Sequence, residues 1–305
     1  MSEEFRAKVR DAFTGPVCSL PTPFKKDNTI DYDTAAQIID FQIENGFKVI
    51  FLTPGNSHYN CISDDEMAEL AKFCVKHIRK RALLCATEFG HDTNRMKQLA
   101  SYCAELGVDL FAPYSANWGN SLTRESATEY YLEAAKILPL LMIFPGPVPH
   151  DMIMNVMNDV MEQTDQVMVI KDDLCNPLAR QMTLRYADRA AIFSGGQKQN
   201  FLNIYPYGAT GFLSTLGMFR PDITWKFWEA CQQRDLETMR TIVRDYDMPY
   251  FDLLLRQPGG FDAGIHATME LFGFGSRHRR KPYRTMTDEE TENFKQKLID
   301  LKLYK

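Results

Sequence analysis

Eight times between residues 17 and 215 the chain repeats one pattern: a short apolar, β-rich run, a polar or Gly/Pro loop, then a stretch of helical period. The runs lie at 17–20, 48–52, 82–86, 108–112, 140–144, 167–170, 190–193 and 211–214. They are continuously apolar rather than alternating, as expected of strands buried on both faces of a parallel sheet. Strictly alternating βα units in that number predict an α/β fold, a closed (β/α)8 TIM barrel rather than an open doubly wound sheet. A barrel of roughly 250 residues leaves part of the 305-residue chain for an extension. Helix ends are marked. The segment 33–45, with Ile38, Ile39, Phe41 and Ile43, stops at Gly46, and the segment 93–106 stops at Gly107. Ser63 and Glu66, then Thr287 and Glu290, have the spacing of capping boxes. After Pro221 the alternation ends and helical patterns follow over 223–234, 236–255, 262–272 and from Thr287 towards Leu301. The expected organisation is a barrel over 1–234, completed by the first of these helices, and a C-terminal helical layer over 235–305, with Asp262 as an N-cap.

Charge and cysteine usage narrow the function. A net charge of −5 offers no attraction to nucleic acid or an anionic membrane. The basic run Arg277–His278–Arg279–Arg280–Lys281 beside Pro282 is expected to be a solvated turn rather than a phosphate site. Seven scattered cysteines, with no CxxC pair and no metal-ligand spacing, suggest reduced thiols in a cytoplasmic setting. The charged N-terminal segment lacks the apolar core of a signal peptide, and no window is apolar enough for a membrane span.

In a barrel, function gathers where strands end and βα loops begin. Lys171 directly follows the apolar run 167–170, so its amine should leave a buried strand at the top of the barrel. A lysine there is either reactive or paired, with Asp172, Asp173 or Glu88 as partners. Imine chemistry uses the free amine, and apolar walls such as Val169, Phe144 and Leu213 would supply a setting of low polarity. Glu88 and His91, after the third run, are either pocket groups or loop ion-pair partners. Gly195 and Gly196 allow either close approach to a ligand or a turn.

These residues carry a resemblance. Val169–Ile170–Lys171–Asp172, the loop Pro54–Gly55–Asn56–Ser57–His58 ahead of Ile62 and Glu66, Pro113–Tyr114 and Ser194–Gly195 are similar, in order and spacing, to landmarks of the pyruvate-dependent aldolase/lyase family that contains dihydrodipicolinate synthase and N-acetylneuraminate lyase. The resemblance runs from Pro21 to the C-terminal helices. It implies Lys171 as Schiff-base former, no metal or external cofactor, and a homotetramer built as a dimer of dimers.

The departures from the family pattern matter as much. The second loop of the family reads Gly-Thr-Thr-Gly-Glu; here Gly55 stands at the relay hydroxyl, while Asn56 and the loop backbone remain to hold a carboxylate. The family's catalytic tyrosine falls on Phe144, which carries no proton, so acid/base work would pass to His58, Tyr59, Tyr114 or Ser115. The synthase's arginine falls on Pro149, leaving no bidentate clamp for the aspartate-semialdehyde carboxylate. The neuraminate lyases' acidic pair falls on Gln197 and Lys198, and Lys198 suits a dicarboxylate better than a polyol. The expected function is therefore a class I lyase, aldolase or dehydratase for a 2-oxo acid, in the first instance a deoxy sugar acid. Its catalytic residues would be Lys171, His58 and Tyr114. Gly55, Asn56, Ser57, Ser115, Gly195, Gln197, Lys198 and Leu213 would bind substrate. The rivals are a catalytically degenerate, 2-oxo-acid-binding barrel, favoured by Phe144, and metal-assisted aldol chemistry through Glu88, His91 and His58.

Overall fold

The computed structural model describes residues 2–144 and 148–305. Eight strands, β1 (Gly15–Ser19), β2 (Val49–Phe51), β3 (Leu83–Thr87), β4 (Leu110–Ala112), β5 (Leu140–Met142), β6 (Val167–Asp172), β7 (Ala191–Ser194) and β8 (Gly211–Leu213), form a closed parallel barrel in sequence order. The (β/α)8 barrel expected from the repeat is the fold of the chain. Side chains alternate across each strand, so Val17, Phe51, Cys85, Ala112, Ile143, Val169, Phe193 and Leu213 fill the interior as one apolar cluster. Cys18, Ile50, Leu84, Phe111, Ile170 and Ile192 face outward into the shell of helices. Gly211 lies where β8 meets β1; a Cβ there would collide with the carbonyls of Phe13 and Gly15, so only glycine closes the ring at this point.

The helices are α1 (Glu3–Ala12), α2 (Tyr32–Glu44), α3 (Asp64–Ile78), α4 (Thr93–Leu106), α5 (Arg124–Ala135), α6 (His150–Gln163), α7 (Pro177–Tyr186), α8 (Gln197–Ile204), α9 (Pro221–Gln233), α10 (Leu236–Ile242), α11 (Met248–Leu255), α12 (Gly260–Leu271) and α13 (Asp288–Asp300). Helix α1 stoppers the N-terminal end of the barrel. Its Val9 and Ala12, with Phe13 beyond, join the interior cluster, and the Phe13 ring meets Phe193 at 5.2 Å. Both capping boxes form, at Ser63 and at Thr287, and Gly107 ends α4 with φ +83°.

Three expectations about the C-terminal part are corrected. The pattern over 236–255 is not one helix: a π turn over Val243–Asp247 separates α10 from α11. Pro249 has no N–H to give the carbonyl four residues back, so the hydrogen-bond register slips there. Asp262 is not an N-cap; α12 opens at Gly260 after Gly259, whose φ is +93°, and Asp262 lies in its first turn. The basic run is not a solvated turn. Arg279 is 3% exposed and stacks on Tyr283, Arg280 covers the Phe24 ring and pairs with Glu66, and Arg277 bonds Glu270 and Asp288. Arg280 thereby fastens the helical layer to the barrel, while Arg277 and Arg279 tie that layer together.

Candidate active site

The direction of Lys171 is decided by a bulge. Strand β5 pairs Leu140 with Val167 and Leu141 with Val169, so β6 carries one extra residue at Met168. Val167 faces the helices, Met168 and Val169 both face the interior, and Ile170 faces the helices again. Strict alternation from Val167 would have turned Lys171 outward; the bulge turns it in. Its Nζ lies 6.0 Å from the centre of the Phe51 ring, and the residue is 8% exposed.

The same ammonium donates to both carboxylate oxygens of Asp173, two residues on. Gly195, at the end of β7, makes this contact possible, since a Cβ there would overlap Asp173 Oδ1. Asp172, by contrast, is fully buried on the outer side. It accepts from the Leu174 and Cys175 N–H groups and from Asn200 Nδ2 at 3.0 Å, and burial pushes its carboxyl above the usual range.

The loop after β2 folds into consecutive tight turns, so most of its polar groups are spent internally. Ser57 Oγ donates to the Leu20 carbonyl at 2.6 Å and accepts from Thr53 N–H at 3.0 Å, which commits this hydroxyl to the loop rather than to a ligand. Asn56 Nδ2 donates to Ser19 Oγ at 2.7 Å, spanning β1 and β2. Gly55 is exposed, with no atom within 4 Å of where a Cβ would stand, so a ligand group has room beside it.

His58 does not reach over the barrel mouth as expected. Its Nε2 meets His266 Nε2 at 2.8 Å, and its ring packs on Phe24 and Tyr283. The positive φ of +53° turns it towards the C-terminal layer. Desolvation, reinforced by Arg279, pushes its imidazole down to about 3, so it stays neutral. Tyr59 is also buried, in the helical shell.

On the β3–β4 side, Tyr114 packs against the interior cluster and stacks on Phe89 at 5.6 Å. Ser115, 4% exposed, has a buried hydroxyl without a hydrogen-bond partner among the described residues. Glu88 is fully buried and accepts from Tyr130 Oη at 2.7 Å, from His91 N–H at 3.0 Å and from Tyr114 N–H. It ties three elements together, and burial outweighs these donors to push its carboxyl up to about 7. His91 is its neighbour and approaches Asp64 at 3.2 Å. Because His58 is turned to His266, the Glu88–His91–His58 constellation of the rival, metal-assisted reading does not assemble among the described residues.

After β7 and β8 the expectations are partly corrected. Gln197 bridges the two loops, donating to Thr215 Oγ1 at 2.8 Å and accepting from Thr215 N–H at 2.9 Å. Lys198 is fully buried, bonded to Ser214 Oγ at 2.8 Å and Asp247 at 3.3 Å. It points between α8 and the π turn, so its amine is committed to Asp247 and not open to a substrate carboxylate. Leu213 and Gly195 do line the interior end of the barrel. Phe144 packs on Tyr131 at 5.5 Å; residues 145–147, which follow it, lie outside the described residues.

Comparison with known proteins decides what this geometry belongs to. The model of the "Dihydrodipicolinate synthetase family" matches residues 12–301. The chain belongs to the dihydrodipicolinate synthetase family.

It is 24% identical over 291 residues to the 4-hydroxy-tetrahydrodipicolinate synthase of Caldicellulosiruptor bescii, covering 94% of this chain and 97% of that one. Its fold superposes on a prophage protein of the dihydrodipicolinic acid synthase family from E. coli K12, solved in complex with pyruvate, with TM-score 0.82 and 18% identity, over 95% and 99% of the two chains. It superposes on N-acetylneuraminate lyase from Fusobacterium nucleatum with TM-score 0.83 and 16% identity, over 96% and 100%. The dihydrodipicolinate synthetase family comprises class I pyruvate-dependent aldolases, lyases and synthases that hold pyruvate on a lysine as a Schiff base and need no metal. Two residues of the mouth escaped the sequence reading as site groups. Ser19 was detectable as the polar position two after Val17 in an apolar run; Asp173 was weighed only as a pairing partner of Lys171.

Proposed function

We propose that the protein is a Schiff-base lyase, aldolase or dehydratase acting on a 2-oxo acid, with a deoxy sugar acid as the first candidate. The observation that carries this reading is Lys171, turned into the barrel mouth by the β6 bulge, and the resemblance of Val169–Ile170–Lys171–Asp172 to the family's lysine strand supports it as the imine former. Its Nζ attacks the 2-oxo carbon, and the protonated imine then acts as the electron sink for retro-aldol cleavage or loss of a β-positioned leaving group. The open space at Gly55, beside Asn56, receives the 1-carboxylate. Ser115, whose buried hydroxyl has no hydrogen-bond partner among the described residues, bonds a substrate oxygen, and Tyr114 moves protons at the scissile bond. Gly195 and Leu213 bound the substrate from the β7–β8 side.

The relatives carry the name of the synthase, but Phe144, Gly55 and Pro149 replace the tyrosine, the relay hydroxyl and the arginine of that reaction, which supports a different 2-oxo acid. The reaction as written uses no metal or external cofactor, and the acidic, thiol-bearing chain is proposed to work in the cytoplasm as a homotetramer. A second reading, a 2-oxo-acid-binding barrel without turnover, draws on Phe144 and on the Lys171–Asp173 pair that holds the amine.

Borohydride trapping with pyruvate and a panel of 2-oxo sugar acids, read by intact mass and peptide mapping, tests the proposal. The expected result is an adduct on Lys171 that is absent from Lys171→Ala. A folded sample that yields none with any oxo acid refutes the lyase and leaves the binding barrel.

A further inference from the structure

We infer that Asp173 is a catalytic residue of this site, the acid/base that carries protons between Lys171 and the departing oxygen during imine formation. The inference rests on the lyase reading above and adds the group that makes its first step feasible.

Imine formation is a proton-transfer problem. The ammonium of Lys171 must lose two protons and the 2-oxo oxygen must gain two before it leaves as water. Among the described residues, the group bonded to Nζ is the Asp173 carboxylate, through both oxygens. Of the other candidates, Tyr114 is assigned above to the scissile bond, and the rest are placed elsewhere. His58 faces His266, Glu88 is enclosed by Tyr130, His91 and Tyr114, Asp172 points outward to Asn200, and Phe144 has no proton to give.

The step balances with Asp173 alone. The carboxylate takes one proton from the ammonium, and the freed amine forms the N–C2 bond. Asp173 returns that proton to the oxyanion, giving a hydroxyl, and takes a second from the now cationic nitrogen. It then delivers this second proton to the hydroxyl as the C2–O bond breaks and water departs. The imine keeps the positive charge and Asp173 is again a carboxylate. Nitrogen and departing oxygen sit on one carbon, so a carboxylate that spans Nζ with both oxygens also bridges the N–H and O–H of the carbinolamine.

The surroundings are built for this contact. Asp173 reaches back over its own strand end only because Gly195 has no side chain. It is 39% exposed while Lys171 is nearly buried, so water can enter and leave past the carboxylate without the amine being solvated. The approaching 2-oxo acid meets a neutral pair instead of a bare carboxylate, and its own carboxylate is taken on the β2 side, at Gly55.

The experiment is the rate, not only the extent, of pyruvate trapping by borohydride. It compares wild type, Asp173→Asn, Asp173→Ala with and without added formate, Asp173→Glu and Gly195→Ala, with folding checked by thermal unfolding. General acid/base catalysis is worth roughly 10²- to 10⁴-fold. Asp173→Asn should therefore slow adduct formation by about 10²-fold or more, formate should recover part of the Asp173→Ala rate, and Asp173→Glu should fall between. Gly195→Ala should lose rate with Asp173 intact, because the new Cβ displaces the carboxylate. If the wild type is trapped and Asp173→Asn is trapped as fast or faster, Asp173 is only a counter-ion and this inference is overturned while the lyase stands. If the wild type is never trapped, both fall.

Discussion

Glu88 and Lys171 show what burial does to single residues. Lys171 was legible because a lysine at the end of an apolar strand has few bland explanations. The role of Glu88 was not, since its partners Tyr130, His91 and Tyr114 come from separate parts of the chain. Its carboxyl is pushed up to about 7, mainly by desolvation. A carboxyl whose folded value is raised binds more protons folded than unfolded, so its contribution is greatest at acid pH and is lost as pH rises from about 4.5 to about 7. At about 1.4 kcal/mol per unit, that loss reaches about 3 kcal/mol. Unfolding free energies of wild type and Glu88→Gln, measured in urea across that range, should diverge as pH rises, to the disadvantage of the wild type. A difference that does not change with pH would remove burial of this carboxyl as the cause.

Among the elements, the helices that end where local signals say they should are those whose caps use neighbours in sequence, such as Ser63 with Glu66 and Thr287 with Glu290. The π turn at Val243–Asp247 was not legible, because its consequence lies across the fold: it brings Asp247, 2% exposed, onto Lys198 and onto Gln199 N–H. A buried pair of this kind is costly to break and cheap to replace as a whole. Asp247→Ala should therefore destabilise the protein by about 3–5 kcal/mol, whereas Lys198→Met with Asp247→Leu should recover most of that loss. Chemical denaturation of the two variants decides it. A double variant no better than Asp247→Ala would mean that the Gln199 contact, not the charge, is what Asp247 supplies.

At the scale of the whole molecule, the barrel and the C-terminal helices are joined through the buried His58–His266 contact, with Arg280 clamping Phe24 and Glu66. Burial pushes His58 to about 3 and His266 well below the ordinary histidine range. Groups kept neutral in the fold bind fewer protons than in the unfolded chain, so their contribution is intact above about 6.5 and is lost as pH falls below it. These histidines therefore add an acid slope, a loss of stability as pH falls below about 6.5, which the raised carboxyls of Glu88 and Asp172 oppose. His266→Gln should make that acid slope shallower; an unchanged slope would place the acid sensitivity elsewhere. The sequence by itself determined the barrel, because eight apolar runs separated by helical stretches can bury both faces of every strand in few other ways. It also marked Lys171, since a charge ending such a run must be paired or used. Only the tertiary structure decided which way that lysine points, because the parity of β6 depends on one bulged residue set by its pairing with β5. It likewise decided that Asp173 meets the amine while His58 and Lys198 turn away, because those choices rest on a missing Cβ at Gly195 and on partners, His266 and Asp247, from the distant helical layer.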